Sequence, residues 1–249
     1  MDFVEQHYWD RSYSAFNYFV ADDEITQWLS SVLMADRPPD RKSFEFGCCP
    51  GRYMARIGQF GFEVNGRDVS PDIESQNFRA WLEHLKINIG ELAKGDALDY
   101  ARTSNDKYDL VCSFGFIEHF SNYQEVIKLH DRLLKPGGIL IISTPNFRGL
   151  FQQGLHKWLD NENLSRHNLQ SMNPASWKKT LKNLNYKIEY SGYFGNFDFW
   201  YDAQKRTLVQ AISIITLMKI KRRLKTLLPN CSLYSPYCGI IARKCMTEE

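Results

Sequence analysis

Several features that would settle a protein's class at sight are missing from this sequence. It holds no Cys-x-x-Cys pair, so its six cysteines give no starting point for a zinc site, although Cys231, Cys238 and Cys245 recur every seven residues. In a chain of 249 residues six cysteines make no disulfide framework either. They read as reduced thiols, most of them buried as small hydrophobes, and no metal is expected. A strong charge of either sign is also missing: a formal net charge of +2 provides no general basic face for nucleic acid. Residues 1–10 carry acids and no apolar core, which excludes a secretory leader or transit peptide and leads us to expect a cytoplasmic protein. No internal repeat or low-complexity tract occurs. With 43% hydrophobic and 24% charged residues, the chain is neither disordered nor fibrous, and its length fits one domain with a full core. Small molecules become the default partner.

What is present has a regular order. Residues 1–36 are rich in aromatics (Phe3, Tyr8, Trp9, Tyr13, Phe16, Tyr18, Phe19) and read as a helical lid broken near Ala21-Asp22-Asp23. A polar, proline-stiffened link, Arg37-Pro38-Pro39-Asp40-Arg41, follows. Residues 37–145 then alternate short apolar runs with helix-length amphipathic segments. Strands are expected over 43–46, 62–68, 91–94, 108–113 and 139–143. Helices are expected over 50–60, 71–85 and 123–134, the last stopped by Lys135-Pro136-Gly137-Gly138. Ile139-Leu140-Ile141-Ile142 is apolar throughout, as in a central strand covered on both faces. This β-α-β order predicts an α/β fold with a doubly wound, parallel sheet. Residues 146–249 are less regular. A long polar connection over 146–172 precedes a helix over 174–184, a strand over 186–193, a helical segment over 202–228 and a closing strand over 237–244.

At the end of the first strand stands Glu45-Phe46-Gly47-Cys48-Cys49-Pro50-Gly51-Arg52, a glycine turn where a doubly wound sheet binds its ligand. A dinucleotide fingerprint fails there, because Cys49 and Arg52 occupy its second and third glycine positions. The segment resembles instead the first motif of class I S-adenosylmethionine-dependent methyltransferases, an acid followed by Gly-x-Gly-x-Gly, with Cys49 in place of the middle glycine. Four further stretches match that family in order. Val64-Asn65-Gly66-Arg67-Asp68-Val69-Ser70 is similar to its second-strand motif and Gly95-Asp96-Ala97 to its adenine loop. Tyr108–Ser113 running into Phe116-Ile117-Glu118-His119-Phe120 is similar to its fourth-strand motif, and Leu134–Gly138 with Ser143–Asn146 completes the series.

The resemblance implies a Rossmann-like, seven-stranded sheet with an antiparallel final strand, amino-terminal helices and a carboxyl-terminal helical insertion. It also implies S-adenosylmethionine as cofactor and S-adenosylhomocysteine as product. Glu45, Gly47, Cys49 and Gly51 would form the cofactor turn, Asp68 and Val69 the ribose site, Asp96 and Ala97 the adenine site, and Ser113 and Phe114 the strand end beside them. A carboxylate such as Asp68 can accept two ribose hydroxyls, and glycines let backbone N–H groups come close. Cys49 would narrow the pocket slightly.

Methyl transfer needs the acceptor aligned with the carbon–sulfur bond and, for a hydroxyl, a proton acceptor. Two histidines compete for that role: His167 in Ser165-Arg166-His167-Asn168, which we prefer, and His119 in the Glu118-His119 pair. Phe116, Asn146 and the aromatic run holding Tyr193, Trp200 and Tyr201 are expected around the acceptor. The segment 208–228 is apolar in its first half and then places five cations in seven residues, Lys219 to Lys225. Its apolar part is shorter than the ~20 residues of a bilayer span. It leaves open a peripheral membrane contact, a homodimer contact, or a phosphate-bearing acceptor. The chain layout, similar to methyltransferases of sugar and surface-polysaccharide pathways, leads to the expectation of a sugar or glycan-precursor hydroxyl. Alternatives are a lipid or quinone-like aromatic and a non-catalytic binding module.

Overall fold

Seven strands form one mixed sheet in the order β3-β2-β1-β4-β5-β7-β6. The computed structural model describes residues 1–4, 8, 18–33, 40–202 and 204–246. The lid aromatics Trp9, Tyr13 and Phe16 and the link residues Arg37-Pro38-Pro39 lie outside the described residues. In chain order the elements are α1 (Glu24–Leu33), β1 (Lys42–Phe46), α2 (Arg52–Gln59), β2 (Glu63–Asp68), α3 (Gln76–His84) and β3 (Ile89–Lys94). After these come α4 (Ala97–Thr103), β4 (Tyr108–Phe114), α5 (Tyr123–Leu133) and β5 (Leu134–Pro145). The chain continues through α6 (Leu150–Leu159), α7 (Asn161–Ser165), α8 (Pro174–Lys182), β6 (Tyr186–Phe194), α9 (Leu208–Leu227) and β7 (Tyr237–Lys244).

β1 to β5 are parallel, while β7 enters antiparallel between β5 and β6. The pleat sends alternate residues to opposite faces. On β4 and β5, Val111, Leu140 and Ile142 pack with α4, α5 and α8, and Leu110, Cys112, Ile139 and Ile141 pack with α1 and α2. Both faces are therefore covered, which is why Leu110–Cys112 on β4 and Ile139–Ile142 on β5 read as unbroken apolar runs. Each fully buried Ile or Leu there contributes about 1.5–3 kcal/mol by leaving water.

Two expectations are corrected and one helix is added to them. The helix expected over 71–85 splits into a short turn at Pro71–Glu74 and α3, because Ser75 is extended (ψ 141°) and its side chain caps α3 at the Phe78 N–H. α4, which no expectation covered, is a seven-residue helix capped by Asp96. Residues 146–172, expected to be a polar connection, contain α6 and α7. Beside Leu159 their buried members are polar, Gln152, His156 and Asn163, and Asp160 between the two helices is buried as well.

Candidate active site

β1 delivers the chain into Gly47–Gly51 before α2 begins. Gly47 (φ +63°) and Gly51 (φ +84°) are left-handed, the region that costs side-chain-bearing residues most. A Cβ on Gly47 would stand 2.6 Å from the Phe116 ring, and one on Gly51 2.2 Å from the Phe78 ring. Cys49 is not among the positive-φ residues, so a cysteine occupies the middle position without that cost. Its backbone N–H donates to Asp68 Oδ2 at 2.8 Å, tying the turn to the end of β2. Burial pushes the neighbouring Cys48 thiol well up, which keeps it protonated and unreactive.

Asp68 is buried, and its other oxygen accepts the Ser70 N–H at 2.8 Å. Burial raises its carboxyl to about 6, against the lowering effect of the Ser70 and Cys49 N–H donors. Each oxygen keeps a further lone pair. Asp96 Oδ1 accepts the Leu98 N–H at 2.7 Å, capping α4.

Two cavities flank the glycine turn. The smaller, about 260 Å³, is bounded by Asp68, Val69, Asp96, Ala97 and Phe116 together with Met1, Val4 and Arg67. The larger, about 530 Å³, is bounded by Glu45, Cys49, Gly51, Phe114, Glu118, His167 and Trp200, with Asp23, Tyr53 and Tyr237 on its wall. Gly47, Gly115 and His119 belong to both, so they stand where the two spaces meet.

Three acids or bases of the larger cavity, Glu45 and Glu118 buried and His167 half-buried, are left with bonding capacity. Glu45 Oε2 has no partner, and burial, with Asp68 nearby, pushes its carboxyl well up. Both oxygens of Glu118 lack partners at 0% exposure, and burial raises it to about 8. His167 Nδ1 bonds the Asn163 carbonyl at 2.7 Å. A carbonyl can only accept, so the proton sits on Nδ1 and the lone pair on Nε2. Burial, with His119 beside it, holds His167 well below the usual histidine range. His119 is arranged alike, with Nδ1 on the Arg166 carbonyl at 3.0 Å, its pKa lowered to about 4 by burial, and its ring centroid 4.9 Å from that of His167. Ligand atoms of Glu118, His119 and His167 lie within 4.8 Å of one another. Two imidazoles and a carboxylate are a donor set able to take a divalent cation, a grouping the expectation of no metal did not foresee.

The wall facing these groups is built from α7 and the segment before α9, with His156 of α6 behind it against Trp200. Asp160, fully buried, accepts from Asn163 Nδ2, the Asp202 N–H and Arg206 Nη2, and His156 Nδ1 lies 3.1 Å from it. Arg166 pairs with Asp202, which also accepts the Tyr8 hydroxyl at 2.8 Å, and the Arg166 guanidinium lies 4.1 Å from the Tyr8 ring centre.

Four residues expected at the site lie elsewhere. Ser113 Oγ bonds His130 Nε2 inside the core at 3.0 Å. Asn146 spends its amide on the Ser232 and Ser235 carbonyls. Tyr193 packs against the core beneath β6, and Tyr201 is 42% exposed against Arg206. Of the aromatic run, Trp200 lines the larger cavity. Sequence reasoning passed over Glu118, whose adjacency to His119 was its one signal. It also passed over Asn163, Arg166 and Asp202, which lacked any: the first two fell in the stretch read as a connection, and Asp202 at the start of a segment read as helical but lying before α9.

A parallel sheet that ends in an antiparallel hairpin, with a glycine turn and a carboxylate at its second strand, has the Rossmann-like methyltransferase architecture. The chain aligns over 96% of its length with an S-adenosylmethionine-dependent methyltransferase from Archaeoglobus fulgidus, all of which is covered, at TM-score 0.56 and 18% identity. Magnesium protoporphyrin IX methyltransferase from Synechocystis, solved with bound S-adenosylhomocysteine, aligns over 96% of this chain and 95% of its own at TM-score 0.60 and 17% identity. At such identities the likeness is one of fold. In sequence, the chain is 35% identical over 104 residues to a ubiquinone biosynthesis O-methyltransferase of Rickettsia typhi, which covers 41% of this chain and 40% of that enzyme. The chain thus spans about two fifths of that relative's length. A methyltransferase-domain family profile matches residues 18–191, more than half of the chain, and the protein belongs to that family.

The residues present fit S-adenosylmethionine. The turn cannot carry side chains at Gly47 or Gly51, so backbone can approach a ligand there. Glu45 offers an unpartnered oxygen, and Asp68 and Asp96 sit on the cavity sized for a nucleoside.

Proposed function

We propose that this protein transfers the methyl group of S-adenosylmethionine to a hydroxyl of a small, quinone-like aromatic compound. When bound, S-adenosylmethionine supplies an electrophilic methyl. In this reading Asp68 accepts the ribose hydroxyls, Asp96 the adenine amino group, and Glu45 the ammonium of the methionine portion. His167 takes the proton from the acceptor hydroxyl through Nε2. His119, at the junction of the cavities, stands second for the same role. The glycine turn and β2 serve the cofactor, Asn163, Arg166, His167, Trp200 and Tyr237 face the acceptor, and Met1, Val4 and Tyr8 border the two cavities.

The observation that carries the acceptor class is the environment of His167: neutral, held in one tautomer and opposite Trp200 in a cavity with Phe114, Tyr53 and Tyr237 on its wall. Burial makes this imidazole a weak base. A phenol loses its proton near a pKa of about 10, whereas a water-like alkyl hydroxyl needs about 16, so the weak base serves a phenol far better. Aromatic walls suit a flat ring. Relatives named for ubiquinone biosynthesis support the same choice. The sugar hydroxyl expected from chain layout has no such support. The non-catalytic reading rested on Cys49, whose ordinary torsion leaves the turn its shape.

The test is methyl transfer from labelled S-adenosylmethionine to a set of hydroxylated aromatics and monosaccharides. Aromatic acceptors are expected to react. His167→Ala is expected to lower kcat by about 10²–10⁴, with S-adenosylhomocysteine affinity unchanged. A chelator is expected to leave the rate unaltered; loss that a divalent cation restores would reassign His167 to a metal. Transfer to sugars alone, or full turnover by His167→Ala, refutes the reading.

A further inference from the structure

α9 has two apolar sides. Its inner side packs Ile214, Leu217 and Met218 against Leu155, Leu159 and Phe199, and there Lys221 and Lys225 pair with Asp198 and Glu24. Those two ion pairs fix which side faces the protein. The outer side repeats at helical spacing through Leu208, Ile212 and Ile215, then Lys219 and Arg223. Leu208 is 77% and Ile212 54% exposed. α6 lies alongside, its Trp158 carbonyl accepting from Gln210 Nε2, and it adds Leu150 at 68%, Phe151 and Trp158 to the exposed apolar surface. Single exposed apolar residues are ordinary, but this many on two adjacent helices mark a surface that something covers.

The charges around the patch say what. Neither α6 nor α9 contains an aspartate or glutamate. Lys157, Lys219, Arg222 and Arg223 are exposed and have no carboxylate partner among the described residues. With a net charge of only +2 for the whole chain, this is a local concentration of cations beside an apolar strip. A second copy of the chain packed face to face would set these cations against their own images. An anionic lipid surface satisfies both parts: acyl chains take the apolar side chains, and headgroups take the cations. No helix among the described residues is long and apolar enough to cross a membrane, so the contact is interfacial.

We infer that the outer face of α9, with the exposed side chains of α6, is a docking surface for anionic membranes. This stands on the surface alone and does not depend on the acceptor proposed above. In cosedimentation with vesicles, the full chain is expected to bind phosphatidylcholine–phosphatidylserine mixtures, to release from them at high salt, and to ignore pure phosphatidylcholine. Neutralising Lys219, Arg222 and Arg223 to glutamine should weaken partitioning on the order of a hundredfold, since each cation at an anionic surface is worth roughly a factor of five. Ile212→Asp with Ile215→Asp should abolish it. S-adenosylhomocysteine affinity, expected unchanged in both variants, reports that each is folded. Retained binding in either folded variant, equal binding to neutral vesicles, or self-association through Ile212 without vesicle binding overturns the inference.

Discussion

Glu118→Gln isolates the cost of a single buried acid. Glu118 is wholly buried, neither carboxyl oxygen has a partner, and its pKa is raised to about 8 from an ordinary value of 4.5. The folded protein therefore keeps a proton there that the unfolded chain releases above pH 4.5. Stability falls as pH rises wherever the folded state holds more protons. The loss runs from pH 4.5 to pH 8 at about 1.4 kcal/mol per pH unit, and reaches about 3 kcal/mol at pH 7. Glutamine has nearly the same shape and does not titrate. His119 and His130, buried and lowered to about 4, act in the opposite sense, losing stability as pH falls below 6.5. Their effect is common to both proteins and cancels in the difference. Thermal melts at pH 5, 6, 7 and 8 should show the variant gaining on the parent with each step, up to about 6–12 °C at pH 7 for a chain of this size. Parallel pH curves for the two proteins would show that Glu118 ionises freely and would refute the argument.

Two further outcomes follow from the glycine turn and its carboxylate. Asp68→Asn should weaken S-adenosylhomocysteine binding by at least about tenfold in calorimetry, because a charged acceptor of two hydroxyls is lost; unchanged affinity would remove Asp68 from the ribose. Gly51→Ala should lower stability by about 1–3 kcal/mol in urea unfolding, given its φ of +84° and the Phe78 ring 2.2 Å from the new Cβ; an unaltered midpoint would mean the turn relaxes at no cost.

How far the sequence could be read depended on how each segment pays its burial. The parallel strands bury apolar side chains on both faces, so Ile139–Ile142 could be recognised directly. α6 inverts that rule. Gln152 is buried because its amide donates to the Asp198 and Tyr234 carbonyls, and His156 because it meets Asp160, while Leu150 and Trp158 face outward. A pattern that buries polar residues beside Leu159 and leaves other apolar ones outside reads as loop, and so α6 and α7, with Asn163, went unseen. Asp68 and Glu45 could be singled out because ordered motifs surround them, and both border the cavities beside the glycine turn. Ser113 and Asn146 were misplaced because a position beside a strand end says nothing about which way the side chain turns.

The four contacts converging on Asp160 carry a consequence for motion. α6, α7, the Asp202 backbone and Arg206 share one buried side chain, so none of them can shift without breaking a hydrogen bond in the interior. Trp200 stands two residues before Asp202, so the stretch of cavity wall it forms is tied through that one side chain to both helices and to Arg206.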